Sequence, residues 1–558
     1  MIRMILTFLI ALFASCSVVA QLRDNAAARV DSLLMEWDHP DMPGLAVAVV
    51  RDGKVLLKKT AGMANLEYKI PITANTVFTV ASISKQFTAY AIAQLVIQER
   101  LGLEDEVHQY IPELPDYGHP ITIFNLLTHT SGLKDQYDLL YLAGWKPEDV
   151  ISNADALELI YRQQSLNFEP GTAYQYSNSG YTLLALIIER ITHQPFASWC
   201  REHIFLPAKM DHAFFITDFR QLIANRAESY TVTETGFARS PIQSTTNGPN
   251  GLHATLDDLV AWTVFLNDAG RLDNRMRELI EQVPSMSGKT DSLQLFYGFG
   301  QAITQYRGEK LIWHDGSDAG YRSYVGRFPD QHTAIIVLGN QERIDPKNMA
   351  MQVADAVLAD QLDASSPTVP ATQKNIAPVS VEEAIEGQYV LPAGQQLEVF
   401  VIDHNIYARF AGADGFQLFP QGKDKFINTE QAVTLYYQKQ GNEDIIAWQK
   451  GNSEPVPIQQ LTDIDLSAFE EYLGTYRCDD LGVRYALVLR GNRIGLIQPR
   501  NTFIPLKQVA GDEFASGYWW LKQVQFRRDT GHAIVGFDIN NSRAKGLRFE
   551  KVDTLRIN

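Results

Sequence analysis

The feature that most constrains the fold is an apolar run over residues 80–101, with a serine and a lysine close to its start. Ser82 and Lys85 stand three positions apart, so on a helix they would lie on one face, about one turn from each other. Residues 90–97 are apolar on most sides, which is typical of a helix buried at the centre of a domain. Gly102 would end that helix. The run therefore predicts a buried helix that carries Ser82 and Lys85 at its N-terminal end.

This arrangement can make a serine hydroxyl nucleophilic. A partly desolvated Lys85 loses its proton more easily and can take the proton of Ser82, while the positive end of the helix favours the developing negative charge. The tetrapeptide alone is a weak signal, because Ser-x-x-Lys also begins at Ser131 and at Ser542. Taken by itself, it fits an ordinary surface serine and lysine on a helix better.

The start of the chain predicts export. A basic residue precedes a short apolar stretch and small residues lead up to Ala20, so residues 1–20 are interpreted as a signal peptide, too short to span a membrane. In an alternative interpretation Cys16 carries the lipid of a bacterial lipoprotein, although Phe13 stands where leucine is usual. In either case we expect a periplasmic or secreted protein that meets a membrane only through a lipid on Cys16.

Composition excludes several classes of function. A chain of 558 residues is longer than one core organises, so several domains are expected. The formal net charge of -16 argues against nucleic acids and anionic membrane surfaces as partners. The twelve histidines show no metal-ligand spacing, so we expect no metal and no cofactor. Cys200 and Cys478 stand far apart, which excludes a disulfide scaffold, and each is expected to be free and buried.

The first part of the chain alternates between strand and helix patterns. An amphipathic helix at 26–37 is followed by a strand, a tight Asp-Gly turn and a second strand within 44–57. Helical patterns then dominate to about residue 281. Three strands are predicted next, at 310–314, 321–328 and 333–338, and a last helix at 346–361. Early strands, late strands and helices between them predict one antiparallel sheet with a helical subdomain.

Two further polar motifs stand within this part of the chain. Tyr176-x-Asn178 lies in a turn-rich loop before a predicted helix at 181–192, and the Tyr-x-Asn spacing occurs once. His314-x-Gly316, which is also unique, ends an apolar strand. Ordinary structural roles are the alternatives: a tyrosine and an asparagine in a turn, and a strand histidine whose hydrogen bonds are satisfied.

In this order, the three motifs resemble those of the beta-lactamase-like serine hydrolases of the class C and penicillin-binding type. That group also includes D-aminopeptidases, D-Ala-D-Ala carboxypeptidases and esterases. The flanking residues match as well, at 127–133 (Leu-Thr-His-Thr-Ser-Gly-Leu), 169–171 (Glu-Pro-Gly), 251–252, 257–259 and 320–321. The resemblance covers about residues 31–361. It puts Ser131 in a structural loop of the family and Ser542 outside the catalytic domain.

The resemblance implies a role for each residue of the first two motifs. Ser82 would attack a carbonyl and form an acyl-enzyme, with Lys85 and Tyr176 sharing the work of the general base. A tyrosine beside a cationic lysine would ionise below its usual pKa. Tyr176 would then protonate the leaving group, and Asn178 would hydrogen-bond Lys85 and the substrate amide.

The third motif would bind the substrate. The backbone N–H groups of Ser82 and Ser317 would form the oxyanion hole, and Gly316 would let a substrate backbone approach the strand edge. True beta-lactamases carry Lys-Thr-Gly at this place. In this chain His314 is mostly neutral at pH 7, and Asp315 adds negative charge if it points into the site. Efficient recognition of anionic β-lactams is therefore not expected, and a neutral or cationic group near the scissile bond fits better.

The remainder of the chain changes in character. Residues 363–382 are predicted to be a linker from their Pro, Ser and Thr content. The segments 383–460 and 461–558 both open with Gly-x-Tyr and continue as short alternating strands, which predicts two antiparallel β-barrels. They resemble the lipocalin-like barrels appended to D-aminopeptidases, where a barrel restricts the active site to small substrates. The aromatic cluster 518–520 is a candidate ligand patch, although a place in a barrel core is favoured.

Together, these patterns predict a multidomain α/β and all-β protein. Residues 21–362 would form the beta-lactamase-like serine hydrolase domain, an antiparallel sheet flanked by helices. We expect an exported enzyme that cleaves an amide or ester bond of a small substrate, with peptides of the D-aminopeptidase type favoured. One alternative is a carboxylesterase with the same site. Another is a slowly turning over penicillin-binding-type receptor or cell-wall-binding protein. The oligomeric state is not predicted.

Overall fold

The structure is a computed structural model that describes residues 27–552 with short gaps. The gaps are residues 234–235, 269, 283–295, 364–380, 382–383, 392–395, 403–404, 411–415, 423, 429–431, 442, 452, 461–465, 491–492 and 542. The predicted signal peptide, Cys16, Ser542 and most of the predicted linker lie outside the described residues.

The catalytic part of the chain contains both long strands and very short ones. In chain order these strands are β1 (Leu45–Arg51), β2 (Lys54–Ala61), β3 (Met63–Asn65), β4 (Ile70–Pro71), β5 (Val77–Thr79), β6 (Phe214–Phe215), β7 (Tyr230–Thr233), β8 (Gly236–Arg239), β9 (Leu252–Thr255), β10 (Phe296–Gly298), β11 (Gln301–Tyr306), β12 (Glu309–Asp318), β13 (Tyr321–Phe328) and β14 (Thr333–Gly339).

The helices of the same part include several short ones. They are α1 (27–34), α2 (Ser84–Ile97), α3 (Val107–Tyr110), α4 (Ile123–Leu127), α5 (Gln136–Leu142), α6 (Asn153–Arg162), α7 (Asn178–Thr192), α8 (Phe196–Cys200), α9 (Leu206–Ala208), α10 (Leu256–Asn267), α11 (Asn274–Glu281) and α12 (Pro346–Val357). Single helical turns occur at Ala81–Ile83, Arg201–Phe205 and Pro329–Gln331.

The central sheet is seven-stranded and antiparallel, in the order β10-β11-β12-β13-β14-β1-β2. This confirms the predicted antiparallel sheet with a helical subdomain. Side chains alternate across each strand, so Ala46 and Ala48 of β1 face the core of the helical subdomain, whereas Val47 and Val49 face α1 and α12. The pattern did not reveal β10 and β11, which extend the sheet beyond the predicted strands.

Helix α2 runs through the middle of the helical subdomain. The single turn Ala81–Ile83 leads into it, and nearly every side chain of its first three turns is buried. The ring of Phe87 packs against Trp262 of α10, with ring centroids 4.6 Å apart. Lys85 lies in the first turn of α2 and Ser82 in the single turn before it, so the predicted buried helix with both residues at its N-terminal end is confirmed. The predicted end at Gly102 is wrong, because α2 ends at Ile97 and the chain turns at residues 98–99.

The first C-terminal module is a closed antiparallel barrel. Its strands are β15 (Gly387–Val390), β16 (Gln396–Ile402), β17 (Asn405–Phe410), β18 (Phe416–Pro420), β19 (Lys425–Asn428), β20 (Val433–Gln440), β21 (Glu443–Lys450) and β22 (Val456–Gln460). Apolar side chains from these strands, among them Leu397, Phe426, Leu435 and Trp448, fill its core.

The second module is a nine-stranded antiparallel sheet. Its strands are β23 (Gly474–Cys478), β24 (Val483–Arg490), β25 (Arg493–Ile497), β26 (Phe503–Pro505), β27 (Lys507–Ala510), β28 (Glu513–Tyr518), β29 (Leu521–Arg528), β30 (Ile534–Ile539) and β31 (Leu547–Val552). Its two edge strands, β26 and β27, follow each other in the chain with only Leu506 between them, so the sheet curls into a nearly closed barrel.

This second barrel shares a hydrophobic core with the catalytic domain. Leu139, Leu140 and Leu142 of α5 and Leu159 of α6 belong to one cluster with the interior residues of the barrel. Tyr518 ends β28 and is 41% exposed, and the two tryptophans follow it in the turn before β29. Both tryptophans pack against Tyr141 of α5, at centroid distances of 5.4 and 6.3 Å, and Trp520 also packs against the core that the barrel shares with α5 and α6. The favoured place in a barrel core is therefore wrong for Tyr518, whereas Trp520 lies at the margin of that core.

Two smaller findings concern cysteines and membrane spans. Cys200 and Cys478 are buried and free, as predicted. Within the described parts of the chain, no helix is both long and apolar enough to cross a membrane.

The shared core makes a testable prediction about stability. Leu140→Ala should lower the free energy of unfolding by about 2–5 kcal/mol, since it leaves a cavity where α5 meets the barrel. Leu222→Ala, at a side chain that is 97% exposed, is the matched control and should change little. Urea unfolding followed by tryptophan fluorescence measures both. An unchanged midpoint for Leu140→Ala would show that the domains do not depend on this contact.

Candidate active site

Ser82 lies in the strained turn that starts α2. The residue before it, Ala81, has φ 48°, which is the left-handed region that residues other than glycine rarely adopt. Two hydroxyls hold the turn: Ser84 Oγ donates to the carbonyl of Ala81 at 2.6 Å, and Ser323 Oγ of β13 donates to the carbonyl of Val80 at 2.8 Å. The surrounding structure therefore fixes the backbone on both sides of Ser82.

The amine of Lys85 lies at the centre of the site and has three polar neighbours. Its Nζ is 3.1 Å from Ser82 Oγ, 2.8 Å from Asn178 Oδ1 and 2.9 Å from the carbonyl oxygen of Pro249. Two of these neighbours can only accept hydrogen bonds, whereas the serine hydroxyl can also donate one. A neutral amine has two N–H groups and one lone pair. If it donates to Asn178 Oδ1 and to the carbonyl of Pro249, its lone pair is left for the proton of Ser82, whereas an ammonium would donate to all three oxygens.

The surroundings of Lys85 favour that neutral form. The residue is 0% exposed, and burial holds the pKa of Lys85 well below its ordinary value. Smaller effects oppose one another, because Asp135 raises the pKa of Lys85 and Arg543 lowers it. Removal of water is the largest contribution, so the fold itself favours the neutral amine.

Tyr176 stands beside the same serine. Its hydroxyl hydrogen-bonds Ser82, and Lys85 Nζ lies 4.8 Å from the centre of its ring. Burial raises the pKa of Tyr176 well above its ordinary value. The expectation that Tyr176 ionises below its usual pKa is therefore wrong. It required a cationic neighbour, and the buried Lys85 has lost its tendency to be charged. The hydroxyl of Tyr176 therefore tends to keep its proton, whereas the neutral amine of Lys85 can accept one.

Asn178, at the first turn of α7, is held by a carboxylate. Its backbone N–H and its Nδ2 both donate to Asp135 Oδ2 at 2.8 Å, which turns Oδ1 towards Lys85. Asp135 is 0% exposed and also caps α5 by accepting from the backbone N–H of Tyr137 at 3.0 Å. Asn178 thus lies beside Lys85 as predicted, and one of its two Nδ2 hydrogens is committed to Asp135. Its hydrogen bond to a substrate amide stays a prediction.

The third motif forms a strand edge over the serine turn. Strand β12 pairs with β11 only as far as Trp313, so residues 314–318 pair with β13 alone. A Cβ at Gly316 would collide with the backbone carbonyl of Val80 and would lie 3.0 Å from Ser82 N. Glycine is needed at this position because the strand packs directly on the turn. Ser317 follows it at an exposed position on this edge, and its part in the oxyanion hole stays a prediction.

His314 lies in the wall of the site. It is 4% exposed, and its Nε2 lies 2.9 Å from the hydroxyl of Tyr297. Burial lowers the pKa of His314 to about 4, so the ring is neutral at pH 7. This wall position favours the alternative of a strand histidine with satisfied hydrogen bonds, and direct contact between His314 and a substrate stays a prediction.

Two aspartates of β12 differ in where they point. Alternation along the strand puts Asp315 on the face opposite Gly316, beside Lys347 of α12, whose pKa is lowered by burial against the opposing charge of Asp315. Asp318 is on the same face as Gly316 and accepts a hydrogen bond from Asn250 Nδ2. The charges of both aspartates raise the pKa of Lys85. Asp318 is therefore the carboxylate of this strand that shares a face with Gly316.

Sequence reasoning missed several groups of this site, including Tyr297 and Asp318 and the three that follow. Asp135 stands directly before a helix and could have been found as an N-cap. The carbonyl of Pro249 leaves no side-chain signal at all. Arg543 belongs to the second barrel and is remote in sequence from the motifs. Among the described residues, no group of three or more His, Cys, Asp or Glu side chains is arranged to hold a metal ion.

Comparisons with known proteins agree with this geometry. The family model described as Beta-lactamase matches residues 22–358. A D-aminopeptidase of Brucella anthropi is 27% identical over 528 residues, covering 91% of this chain and 95% of that protein. Penicillin-binding protein 4* of Bacillus subtilis (strain 168) is 28% identical over 431 residues, covering 73% and 93%. The solved structure of the octameric penicillin-binding protein homologue from Pyrococcus abyssi shares the fold, with a TM-score of 0.57 at 23% identity over 86% of this chain and 99% of that one.

The packing of Gly316 on the serine turn can be tested. Gly316→Ala should push β12 away from Val80 and Ser82, costing about 1–3 kcal/mol of stability and slowing acylation of the serine. Gly517→Ala is a matched control, because a Cβ there meets nothing closer than 3.5 Å. Thermal unfolding and the rate of labelling by a fluorophosphonate probe are the measurements. Equal behaviour of the two variants would contradict the packing role.

Proposed function

Because the chain belongs to the beta-lactamase family and is a serine hydrolase, we propose that it cleaves amide bonds next to D-amino acids through an acyl-enzyme on Ser82. The observation that carries the proposal is the set of neighbours around Lys85 Nζ. Its Nζ lies within hydrogen-bond distance of two carbonyl oxygens and of Ser82 Oγ, so a neutral amine that donates to the two carbonyls keeps its lone pair for the proton of Ser82. This is the arrangement that a general base for a serine nucleophile requires.

The acylation step follows from the contacts. Lys85 Nζ takes the proton of Ser82, and Ser82 Oγ bonds to the substrate carbonyl carbon. Backbone N–H groups at Ser82 and Ser317 receive the oxyanion. When the bond to the leaving nitrogen breaks, the nitrogen takes a proton from the Tyr176 hydroxyl, and Tyr176 regains one from the protonated Lys85. A water molecule then cleaves the ester, giving its proton to Lys85 and restoring Ser82.

The proposed substrate class rests on charge and on relatives. The D-aminopeptidase of Brucella anthropi matches nearly the whole chain, including the C-terminal modules. Aminopeptidase substrates carry a free ammonium near the scissile bond. Asp318 lies on the same face of β12 as Gly316 and its charge acts on Lys85, and the neutral His314 adds no positive charge that would repel a cation. We therefore propose that Asp318 binds the substrate ammonium.

The two alternative functions, carboxylesterase and penicillin-binding-type receptor, predict different kinetics. A carboxylesterase would use the same serine and lysine but would gain nothing from Asp318. A penicillin-binding-type receptor would acylate once and then stop, so its product burst would equal one equivalent of enzyme.

We also propose that the enzyme is exported, on the strength of residues 1–20, and that its partners are small substrates and neither nucleic acid nor metal.

The assignment of the nucleophile has a direct test. Ser82→Ala should abolish both fluorophosphonate labelling and turnover of D-aminoacyl amides while leaving the circular dichroism spectrum unchanged. Ser131→Ala is the matched control from a second Ser-x-x-Lys, since Lys134 Nζ there bonds Ser165 Oγ at 2.9 Å instead of the serine of its own motif. Labelling should persist in that control. Activity or labelling that survives in Ser82→Ala would overturn the proposed mechanism.

The substrate class is tested at Asp318. A hydrogen bond to a charged group contributes about 1.5–3 kcal/mol, so Asp318→Asn should lower kcat/KM for D-alanine p-nitroanilide by roughly ten- to a hundredfold. For p-nitrophenyl acetate, which has no ammonium, the same variant should lose less than about threefold. An equal loss on both substrates would favour a carboxylesterase in which Asp318 only supports the fold.

A further inference from the structure

One arginine of the second barrel reaches the network that holds the proposed base. Arg543 lies in the connection between β30 and β31, and its Nη2 donates to Asp138 Oδ1 at 2.9 Å. Its Nη1 lies 3.7 Å from Asp135 Oδ2, and its carbonyl accepts from the backbone N–H of Asp135 at 2.9 Å. Both carboxylates are 0% exposed. The arginine therefore supplies positive charge to two buried acids of another domain.

The connection that carries Arg543 is held in place by the catalytic domain. Asn167 Nδ2 donates to the carbonyl of Arg543 at 2.9 Å, and Asn167 Oδ1 accepts from the backbone N–H of Lys545 at 2.8 Å. The guanidinium lies 5.2 Å from the centre of the Trp519 ring. Backbone hydrogen bonds and an aromatic face thus fix a side chain that would otherwise lose considerable conformational entropy.

Docking alone does not require this arginine. The barrel already shares its apolar core with α5 and α6. Other polar contacts also cross the interface, among them those from the Tyr485 hydroxyl to the carbonyl of Leu142, from Gln498 to the carbonyl of Tyr141, and from Arg500 to Asp149. Arg543 differs from these because its partner Asp135 is hydrogen-bonded to Asn178, which in turn accepts from Lys85.

We propose that Arg543 is a positioning residue of the active site, which acts through Asp135 to keep the amine of Lys85 neutral. The proposal rests on the proposed role of Lys85 as the base. Without Arg543, Asp135 would face Lys85 as an uncompensated carboxylate and would favour an ammonium there. The second barrel would then be part of the catalytic apparatus through charge, in addition to any steric role.

The electrostatic balance around Lys85 includes groups from several elements. From the α5 side Asp135 raises its pKa and Arg543 lowers it, and from β12 both Asp315 and Asp318 raise it. The other titratable groups facing it are His129, His314, Tyr176 and Tyr181. Arg543 itself faces Asp135, Asp138 and Tyr176. The pKa of Asp138 is raised to about 7, mainly by burial, so this acid titrates near neutral pH.

The direction of the expected pH shift follows from the protonation state in which Lys85 acts. Lys85 works as its free amine, so the acylation rate rises with pH through its pKa and then levels off. Removing the positive charge of Arg543 raises that pKa. In a plot of acylation rate against pH, the acidic limb should therefore move to higher pH. The plateau rate above that limb should change little.

The experiment measures fluorophosphonate labelling of Ser82 against pH in the full-length protein. Arg543→Gln and Arg543→Met should each move the acidic limb upward by about half a unit to one unit, with the plateau rate within about threefold of wild type. Arg543→Lys, which keeps the charge, should restore most of the shift. Arg500→Gln is the matched control, because it loses an ion pair across the same interface and should leave the limb in place.

Each outcome decides the proposal. A loss by one constant factor at all pH values would mean that Arg543 only supports the fold, and an unshifted limb in a folded Arg543→Gln would overturn the proposal. If Arg543→Met does not fold, Arg543→Gln, which can still donate to Asp138, carries the test. A wild-type protein that is not labelled at Ser82 would instead reject the proposed function on which the inference rests.

Discussion

The interaction on which the rest of the structure depends is the burial of the amine of Lys85. An ammonium removed from water is costly, so the buried group favours its neutral form and becomes a base. That burial needs a helix surrounded by protein on all sides, which α2 achieves through its apolar residues and its contact with Trp262. The reactive pair is therefore a consequence of how the helical subdomain packs on the sheet.

A buried base must also be oriented, and for this the structure uses carboxylates. Asp135 fixes Asn178, which fixes the amine, but Asp135 is itself a buried acid that needs compensation. The same residue begins α5, whose leucines complete the core of the second barrel. One short helix thus joins the active site to the barrel by packing and by charge. The position of α5 explains why the barrel packs against the catalytic domain and is not joined to it by the chain alone.

Much of this could be predicted because its signals are local. The spacing of Ser82 and Lys85, the apolar run behind them and the alternating strands of both barrels are periodic patterns that a single sequence displays. The protonation of Tyr176 could not be predicted, because it depends on how deeply three-dimensional packing buries the ring. The packing reason for glycine at 316 could not be predicted either, since only the folded structure shows the carbonyl of Val80 against it, and the approach of a substrate backbone there stays a prediction.

The groups missed altogether share one property. Pro249 acts through its backbone, and Arg543 meets Asp135 and Asp138 from a position about four hundred residues further along the chain. Neither a periodic pattern nor a short motif can encode such a meeting, because it is created when two domains dock. Sequence reasoning therefore recovers the residues that carry the chemistry more readily than those that set their charge.

In the proposed function, the acidic surroundings of Lys85 would give the charge of the substrate a role beyond binding. Asp318 raises the pKa of Lys85, which opposes the effect of burial. An ammonium bound against Asp318 would cancel that negative charge and so favour loss of the proton from Lys85. A cationic substrate would then favour the free amine that activates Ser82, whereas a neutral ester would leave the effect of Asp318 on Lys85 unchanged. Selectivity for aminoacyl substrates would in this way arise in the rate of acylation as well as in affinity.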